Sequence, residues 1–341
     1  MTPVSGPTLA DIARAAEVST ATVSHALNGT GRVGEATRRR VREVATGLGY
    51  GPPRAPVTRT LGLAVTTYAG VAWNLTDIPF FSRAITAATA AAHQHGYALT
   101  TLPTARGAES LWHTLAVDGM LIMDSPVGDP VLRALRARGV PLVFDGVPGD
   151  ALPGDLWVDN DHAATTREVL DHLAATGAER VALHAGYGRD HYTSAATEAY
   201  EQWCAERRRR PLPVTFDPAD SAGRAFDPLL GAADPELRPD AVYSLYDPGG
   251  RQVLAAAARH RLAVPGRLRL VCASEDPGYA ETDPPVSTVT LRPEVTAATA
   301  VTLLARLVDS GPAYEHAEIP RPVVVPAALR VRASSHGAVM Y

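Results

Sequence analysis

Residues 19–28 carry the most specific chemical pattern in this sequence, a run of hydroxyl, imidazole and amide side chains at helical spacing. Its apolar residues recur at the i, i+3 and i+4 positions of one face: Val23, Ala26 and Leu27. The outward strip comprises Thr20, Ser24 and Asn28, with Ala21 and His25 beside it. Hydroxyl groups can hydrogen-bond phosphate oxygens and an imidazole can donate to a base edge, so the pattern predicts a helix in the major groove of DNA.

Two further helices are expected to position this segment. Thr8 with Asp11 three residues later forms a capping box for a helix to about residue 16, and Ser19 caps the second helix. A third helix over about 35–48 buries Val41, Val44, Ala45 and Leu48 and exposes Arg38, Arg39 and Arg42. Two short helices joined by a tight turn describe a helix-turn-helix, although pattern alone also allows a three-helix protein-interaction module.

The distribution of charge supports a nucleic-acid partner for this head. All 32 basic residues are arginine, which excludes chemistry that needs a lysine amine. The net charge of −4 divides into +4 for residues 1–60 and −8 for residues 61–341. Arginines of the head can supply counter-charge to phosphates, and the acidic body disfavours binding to random DNA.

The body, residues 61–341, alternates apolar strands with amphipathic helices. Strands are expected at 61–67, 97–102, 119–123, 141–145, 181–185, 241–245, 268–273 and 287–291. Helices are expected at 80–95, 130–138, 162–176, 195–209 and 249–261. This alternation predicts parallel sheets covered by helices, here two similar α/β subdomains with a ligand cleft between them.

Other functional classes find little support in the sequence. Two cysteines cannot build a disulfide framework, and no Cys/His cluster indicates zinc. The start of the chain lacks a signal peptide, and no apolar stretch is long enough to cross a membrane. Because the common catalytic motifs are also missing, we expect a soluble, cytoplasmic protein that is not an enzyme and binds no cofactor, metal or membrane.

Residues 8–13, 18–28 and 48–52 resemble the signature of the lactose/galactose repressor (LacI/GalR) family, a group of transcriptional regulators. The resemblance implies that Thr20, Ala21 and His25 read bases. It places the expected phosphate contacts at Ser19, Thr22, Ser24, Asn28 and Arg38. An arginine is frequent in the family at the His25 position, so a single imidazole donor should discriminate guanine less strongly.

Two positions of the head depart from the family pattern. Glu17 stands where a turn glycine is usual, and a left-handed backbone there would cost about 1 kcal/mol. A hinge helix usually precedes the first body strand, but here a short proline-rich linker, residues 51–60, leaves no room for it. We therefore expect operator binding without a central minor-groove wedge, such as intercalation of Val57 would provide.

The resemblance continues more weakly over about residues 61–335, and implies a core similar to periplasmic sugar-binding proteins. The expected domains are a head (1–50), the linker (51–60), a core (61–335) and a tail (336–341). The N-subdomain would span about 61–158 and 288–319, and the C-subdomain about 159–287 and 320–335. The three crossovers would then lie near Val158, Ser287 and Pro320.

Carried over by position, the resemblance implies effector contacts from Phe81, Asp145 and Asp247, where a carboxylate can accept hydrogen bonds from two neighbouring hydroxyls. Ala196 departs from the arginine of sugar-binding members, and our hypothesis is that Arg189 or His191 replaces it. Family glycine and aspartate positions are replaced by Cys272 and Ser274, which leaves Glu275 as the remaining acid.

The sequence thus predicts a homodimeric transcription regulator, usually a repressor, that reads a pseudo-palindromic double-stranded DNA operator. A small-molecule effector in the cleft, a sugar or related metabolite, would control operator affinity. Two alternatives remain open: a DNA-binding regulator that acts without an effector, and, against the basic head and missing signal peptide, a solute-binding protein.

Overall fold

The computed structural model describes residues 8–28, 33–48, 58–66, 77–102, 109–186, 190–310 and 323–336. The chain divides into two compact units, Met1–Val57, the head, and Thr58–Tyr341, the body. The proposed linker up to residue 57, including Val57, lies outside the described residues, as does the segment 337–341 of the tail. No helix in the described part of the chain combines the length and apolarity that a membrane span requires.

Three helices form the head: α1 (Leu9–Ala15), α2 (Thr20–Asn28) and α3 (Glu35–Gly47). Thr8 and Asp11 form the expected capping box at the start of α1. A small core of Ile12, Ala13, Ala16, Val23, Ala26, Val41 and Ala45 holds the helices together. The prediction that Leu48 is buried was wrong, because α3 ends at Gly47 and the Leu48 side chain is 42% exposed.

The turn between α1 and α2 adopts the left-handed backbone that the sequence suggested. Glu17 has a φ of 54°, a region that L-residues other than glycine seldom occupy. Its carboxylate lies 3.2 Å from an Arg40 guanidinium nitrogen on α3, so an exposed ion pair ties this turn to the third helix.

The strands of the body, in chain order, are β1 (Thr60–Val65), β2 (Ala98–Leu102), β3 (Gly119–Met123), β4 (Leu142–Asp145), β5 (Leu156–Asp159), β6 (Val181–Ala185), β7 (Leu212–Thr215), β8 (Ala241–Ser244), β9 (Arg269–Ala273), β10 (Ser287–Thr290), β11 (Val323–Val324) and β12 (Ala328–Arg330). Its helices are α4 (Pro79–Gln94), α5 (Glu109–Thr114), α6 (Pro130–Ala137), α7 (His162–Ala175), α8 (His191–Glu206), α9 (Asp227–Leu230), α10 (Gly249–Arg259) and α11 (Pro293–Ser310).

These strands form two separate sheets. The first has the order β11-β5-β4-β3-β1-β2 and is parallel throughout. The second has the order β12-β10-β9-β8-β6-β7 and is parallel except at β12, which runs antiparallel to β10. We call the first sheet with its helices the N-lobe and the second the C-lobe. A helical head with an α/β core of two parallel-dominated sheets is the predicted fold class.

The chain passes between the lobes at three places, each slightly beyond the expected boundary. The first is at Asn160, after β5. The second follows Leu291, because β10 pairs with β9 and keeps residues 287–290 in the C-lobe. The third follows Val325, because β11 pairs with β5 and keeps residues 323–324 in the N-lobe. Strand pairing therefore corrects the crossovers predicted near Val158, Ser287 and Pro320.

One side chain joins all three crossings. The Nδ2 atom of Asn160 donates hydrogen bonds to the carbonyl of Leu291, at 3.1 Å, and to the carbonyl of Val325, at 2.7 Å. The Val325 backbone N–H donates in turn to the Asp159 carbonyl, at 2.8 Å. We call this group, Asp159–Asn160 with Leu291 and Val325, the crossover junction. It satisfies buried carbonyls that would otherwise have no partner at the point where the lobes meet.

Candidate functional site

A cavity lies between the two lobes. It is lined by residues that directly follow β3, β4 and β5 of the N-lobe, and β8 and β9 of the C-lobe, so it sits at the carboxyl ends of the strands as expected for such sheets. Apolar and aromatic side chains form much of its wall: Ile78, Phe80, Phe81, Tyr192, Leu245, Tyr246 and Leu291. Its position and its lining are typical of a small-molecule site.

Three carboxylates line the N-lobe edge of the cavity. Asp145 and Asp159 are the last residues of β4 and β5, and Asp124 directly follows β3. Because β3, β4 and β5 are neighbours in the sheet, these three residues lie at the same edge of it, where Asp145 is in register with Met123 and Val158 and is flanked by Asp124 and Asp159 one residue further on. Among them, only Asp145 was expected from the sequence.

The Asp159 carboxylate is bound by three groups of the protein. Its carboxylate lies 2.7 Å from His162 Nε2 and accepts backbone N–H bonds from Val147, at 3.0 Å, and Asn160, at 2.7 Å. Burial raises the pKa of Asp159, but the hydrogen bond and charge of His162 and the two backbone donors together lower the pKa below its ordinary value. Asp159 is therefore an ionised carboxylate within the crossover junction.

Asp145 and Asp124 have fewer partners. The Thr296 hydroxyl on α11 donates to Asp145 Oδ2 at 3.2 Å, and burial, reinforced by the Asp159 charge, raises the pKa of Asp145 to about 8. Burial, followed by repulsion from Asp190, Asp145 and Asp159, raises the pKa of Asp124 well above its ordinary value. No hydrogen bond from the described residues reaches the Asp124 carboxylate.

On the C-lobe side, Asp247 connects the two lobes. Its Oδ1 accepts hydrogen bonds from the Ser274 hydroxyl and, at 3.0 Å, from the Glu275 backbone N–H. Its Oδ2 accepts, at 3.3 Å, from the backbone N–H of Phe80 near the start of α4 in the N-lobe. Burial raises the pKa of Asp247 despite these donors. This side chain therefore lines the cavity, while its oxygens already bind protein groups.

Glu275 also lines the cavity with its carboxylate engaged. It accepts from the Thr290 hydroxyl at 2.7 Å and from the Leu291 backbone N–H at 2.8 Å, and an Arg83 guanidinium nitrogen lies 3.6 Å away. Burial raises the pKa of Glu275 in spite of the two hydrogen bonds. Because Arg83 belongs to α4, this pair is a second contact between the lobes.

The other residues proposed to bind the effector differ in whether they reach the cavity. Phe81 lines the cavity and packs in the N-lobe core. His191 begins α8, and its Nε2 atom lies 4.0 Å from Asp159 Oδ2, but it is not among the residues that line the cavity. Arg189 lies outside the described residues. Ala196 is fully buried in the C-lobe core, where no space remains for an arginine.

The effector residues expected from the sequence do not include five polar or aromatic residues that line the cavity: Asp124, Asp159, His162, Tyr192 and Tyr246. A signal for the first was present, because Asp124 directly follows the strand expected at 119–123 and the carboxyl ends of parallel strands carry ligand contacts. His162 and Tyr192 lie in the first turns of α7 and α8, where the sequence alone gives only a helix start.

In the head, α2 presents the proposed DNA-contacting residues as follows. Ser19, Thr20, Ala21 and His25 are exposed, while Thr22, Ser24 and Arg38 are half-buried. The Ser19 hydroxyl accepts the Thr22 backbone N–H at 3.0 Å and lies 2.8 Å from the Thr22 hydroxyl, so Ser19 caps the helix. The Asn28 side chain lies outside the described residues.

Comparisons with known families agree with both parts of this architecture. Residues 8–53 match the family described as bacterial regulatory proteins, lacI family, and residues 170–335 match the periplasmic binding protein-like domain. The chain is 27% identical over 307 residues to the transcriptional repressor PurR of Aliivibrio fischeri, an alignment that covers 83% of this chain and 86% of PurR. It is 29% identical over 185 residues to the regulator MalR of Staphylococcus xylosus, covering 50% of this chain and 53% of MalR.

A solved structure of the regulator CelR in complex with cellobiose has a similar fold. It superposes with a TM-score of 0.68 at 23% identity and covers 96% of this chain and 99% of CelR. The chain is therefore a DNA-binding transcription regulator with a helix-turn-helix head and a periplasmic-binding-protein-like core. The head carries the domain of the lacI family of bacterial regulatory proteins, and the homologues of the chain, such as PurR, are regulators of that family.

Proposed function

We propose that this regulator is a cytoplasmic homodimeric repressor that binds a pseudo-palindromic operator. A small molecule would raise or lower its affinity for that operator. The exposed polar face at the start of α2 carries this proposal, because the buried face of α2 already completes the head core and leaves that surface for DNA. Two heads related by twofold symmetry would read two half-sites of a palindrome.

Within each half-site, Thr20, Ala21 and His25 would meet base edges. Ser19, Thr22, Ser24, Asn28 and Arg38 would contact the phosphates. The helix cap at Ser19 is compatible with this role, because one hydroxyl can accept from the Thr22 backbone and donate to a phosphate. Head arginines would supply the counter-charge, and binding should weaken with increasing salt.

In the body, we propose that the effector occupies the cavity between the lobes, near Phe81, Asp145, Asp247 and Glu275. The cellobiose bound by CelR supports a small-molecule ligand for a core of this fold. Movement of one lobe against the other would pass through the crossover junction and change the spacing of the heads, for which a coupling free energy of about 1–3 kcal/mol suffices. Arg189 or His191 would supply the missing clamp, and unchanged effector affinity in Arg189→Ala and His191→Ala variants would contradict that role.

A regulator that acts without an effector is the second candidate. The contacts of Asp247 and Glu275 favour it, because both carboxylates already bind protein donors and hold the lobes together. Solute transport and enzyme catalysis are not proposed, because neither explains the helix-turn-helix head.

The decisive experiment is sequencing of DNA fragments selected by the purified full chain, with and without candidate metabolites. We expect a palindrome whose enrichment changes with a metabolite, and a palindrome unmoved by every metabolite would support the second candidate. His25→Ala should relax selection at one base of each half-site by about 1 kcal/mol, whereas Arg38→Ala should weaken all sites evenly. Failure to enrich any palindrome would contradict the proposed function.

A further inference from the structure

The cavity between the lobes is lined by far more acidic than basic groups. Its carboxylates are Asp124, Asp145, Asp159, Asp247 and Glu275. Among the described residues that line it, His162 is the only side chain able to carry positive charge. Such a cavity repels anions and favours a ligand that brings either positive charge or several hydrogen-bond donors.

Three of these carboxylates are already compensated by the protein. Asp159 binds His162 and two backbone N–H groups, and Glu275 binds a hydroxyl and a backbone N–H with Arg83 beside it. Asp247 accepts from one hydroxyl and two backbone groups. These bonds take up much of the acceptor capacity of the three carboxylates, so the chemistry left for a ligand is concentrated on the other two.

Those two, Asp124 and Asp145, are adjacent at the end of neighbouring strands. The Asp124 backbone N–H donates to the Asp145 carbonyl at 3.0 Å, which fixes the two residues side by side. Asp145 is only 6% exposed and lines the cavity, and its Oδ1 has no hydrogen-bond partner among the described residues. A Cβ atom at Gly146 would lie 3.2 Å from Asp124 Oδ1, so the glycine keeps open the space beside this carboxylate.

We propose that the cavity binds a small organic ammonium ion, whose charged nitrogen lies between Asp124 and Asp145. This inference rests on the proposed function, because it specifies the effector of the same cavity. An ammonium group offers three N–H donors and cancels charge, so it can bridge two buried carboxylates. A neutral hydroxyl offers one donor and brings no charge that would favour the ionised form of either carboxylate.

The remaining walls suit the body of such a ligand. Tyr192 and Tyr246 of the C-lobe face the cavity together with Phe80 and Phe81 of the N-lobe, and aromatic faces attract cations and cover apolar surface. His162 also lines the cavity, and its buried Nδ1 has no hydrogen-bond partner within the described residues. A hydroxyl on the ligand could provide that partner.

The test compares matched pairs of probes that differ in charge, added to the purified full chain. The pairs are D-glucosamine with D-glucose and N-acetyl-D-glucosamine, 1,4-diaminobutane with 1,4-butanediol, and cyclohexylamine with cyclohexanol. At about 100 times its Kd, a bound ammonium should raise the midpoint of thermal unfolding by roughly 5 °C, and calorimetric titration should give its affinity. Magnesium chloride tests whether an inorganic cation gives the same shift in the unfolding midpoint.

The variants Asp124→Asn and Asp145→Asn identify the site. Each should weaken ammonium binding by about tenfold or more, because it removes a charge-assisted hydrogen bond. Glu201→Gln, an exposed acid on α8, removes the same formal charge away from the cavity and should leave affinity unchanged. The unliganded unfolding midpoint of each asparagine variant should not fall, because asparagine keeps the size of the side chain and removes an acid whose ionisation burial disfavours.

Several outcomes would overturn this inference: no ammonium shifts the midpoint, the neutral probe of a pair binds equally well, magnesium gives the same shift, or both asparagine variants keep full affinity. These outcomes are separable from failure of the proposed function. A neutral ligand that fills the cavity and changes operator affinity supports the regulator and contradicts the ammonium. An ammonium that binds at Asp124 and Asp145 without changing operator affinity supports the site and contradicts effector control.

Discussion

We predict that the buried imidazole of His184 makes the C-lobe less stable as the pH falls. The imidazole is fully buried in β6, with its Nδ1 atom 3.0 Å from the Ser244 hydroxyl oxygen. Its Nε2 has no hydrogen-bond partner among the described residues, and the rings of Phe216 and Phe226 pack at centroid distances of 5.4 and 4.7 Å. Burial lowers the pKa of His184 to about 4, opposed by a weaker attraction from Asp220.

The magnitude follows from the difference between the folded and unfolded pKa values. Below pH 6.5 the unfolded chain gains a proton at this histidine that the folded chain does not accept until about pH 4. Stability is therefore lost as the pH falls, by about 2 kcal/mol at pH 5 and about 3 kcal/mol at pH 4 relative to neutral pH.

The assay is urea unfolding of the full chain between pH 4.5 and 7.5. The variant His184→Leu combined with Ser244→Ala removes the titrating group without leaving the hydroxyl unpaired, and Ser244→Ala alone is its matched background. The double variant should lose about 2 kcal/mol less than that background between pH 7 and pH 5. His113→Gln, which removes an exposed histidine of α5, controls for the loss of an imidazole.

The difference between variant and background is the informative quantity, because Asp145 acts in the opposite direction. Its folded pKa of about 8 favours the folded state at low pH and is common to every variant. Parallel stability curves for the double variant and Ser244→Ala would refute the assignment of the acid sensitivity to His184.

Three further predictions concern the turn, the crossover junction and the C-lobe core. Glu17→Gly should stabilise the head by about 1 kcal/mol relative to Glu17→Ala, which loses the same Arg40 ion pair but keeps a residue that disfavours the left-handed backbone. Backbone amides of α1 and α2 should therefore exchange hydrogen more slowly in Glu17→Gly than in Glu17→Ala. Equal exchange rates in the two variants would contradict this prediction. Asn160→Ala should cost about 2–3 kcal/mol in urea unfolding, because it leaves two buried carbonyls without a donor, and a loss below about 0.5 kcal/mol would show that the junction is not stabilising. Ala196→Arg should lower the free energy of unfolding by about 3–5 kcal/mol or prevent folding, because it places a charge in the C-lobe core. Glu198→Arg, on the exposed face of α8, should be tolerated. An Ala196→Arg variant as stable as the wild type would show that this position is not tightly packed.

Secondary structure was predictable where a strong periodic pattern had clear ends. Strands β3 and β6 have the predicted bounds, and the three head helices begin and end within a few residues of expectation. Strand β7 was missed because Pro213 argues against a strand. The proline is tolerated at this position because β7 is the last strand of its sheet, where one row of backbone groups needs no partner.

The limits of sequence reasoning at the site have a similar physical origin. Residue types and strand ends can indicate Asp145 and, in principle, Asp124, because both follow parallel strands. The bond from the Phe80 backbone N–H to Asp247 joins residues far apart in sequence and depends on how the lobes meet, so no local pattern contains it. The crossovers were displaced for the same reason, since a strand pattern does not say which sheet a strand joins.

The division of the cavity walls between the lobes has a consequence for binding kinetics. Asp124, Asp145 and Asp159 all belong to the N-lobe, whereas Tyr192 and Tyr246 belong to the C-lobe. A ligand held by the N-lobe carboxylates would gain the tyrosine contacts of the C-lobe only when the lobes close around it. Binding then has two steps, a concentration-dependent encounter and a concentration-independent closure, so the observed rate should approach a plateau as ligand concentration rises.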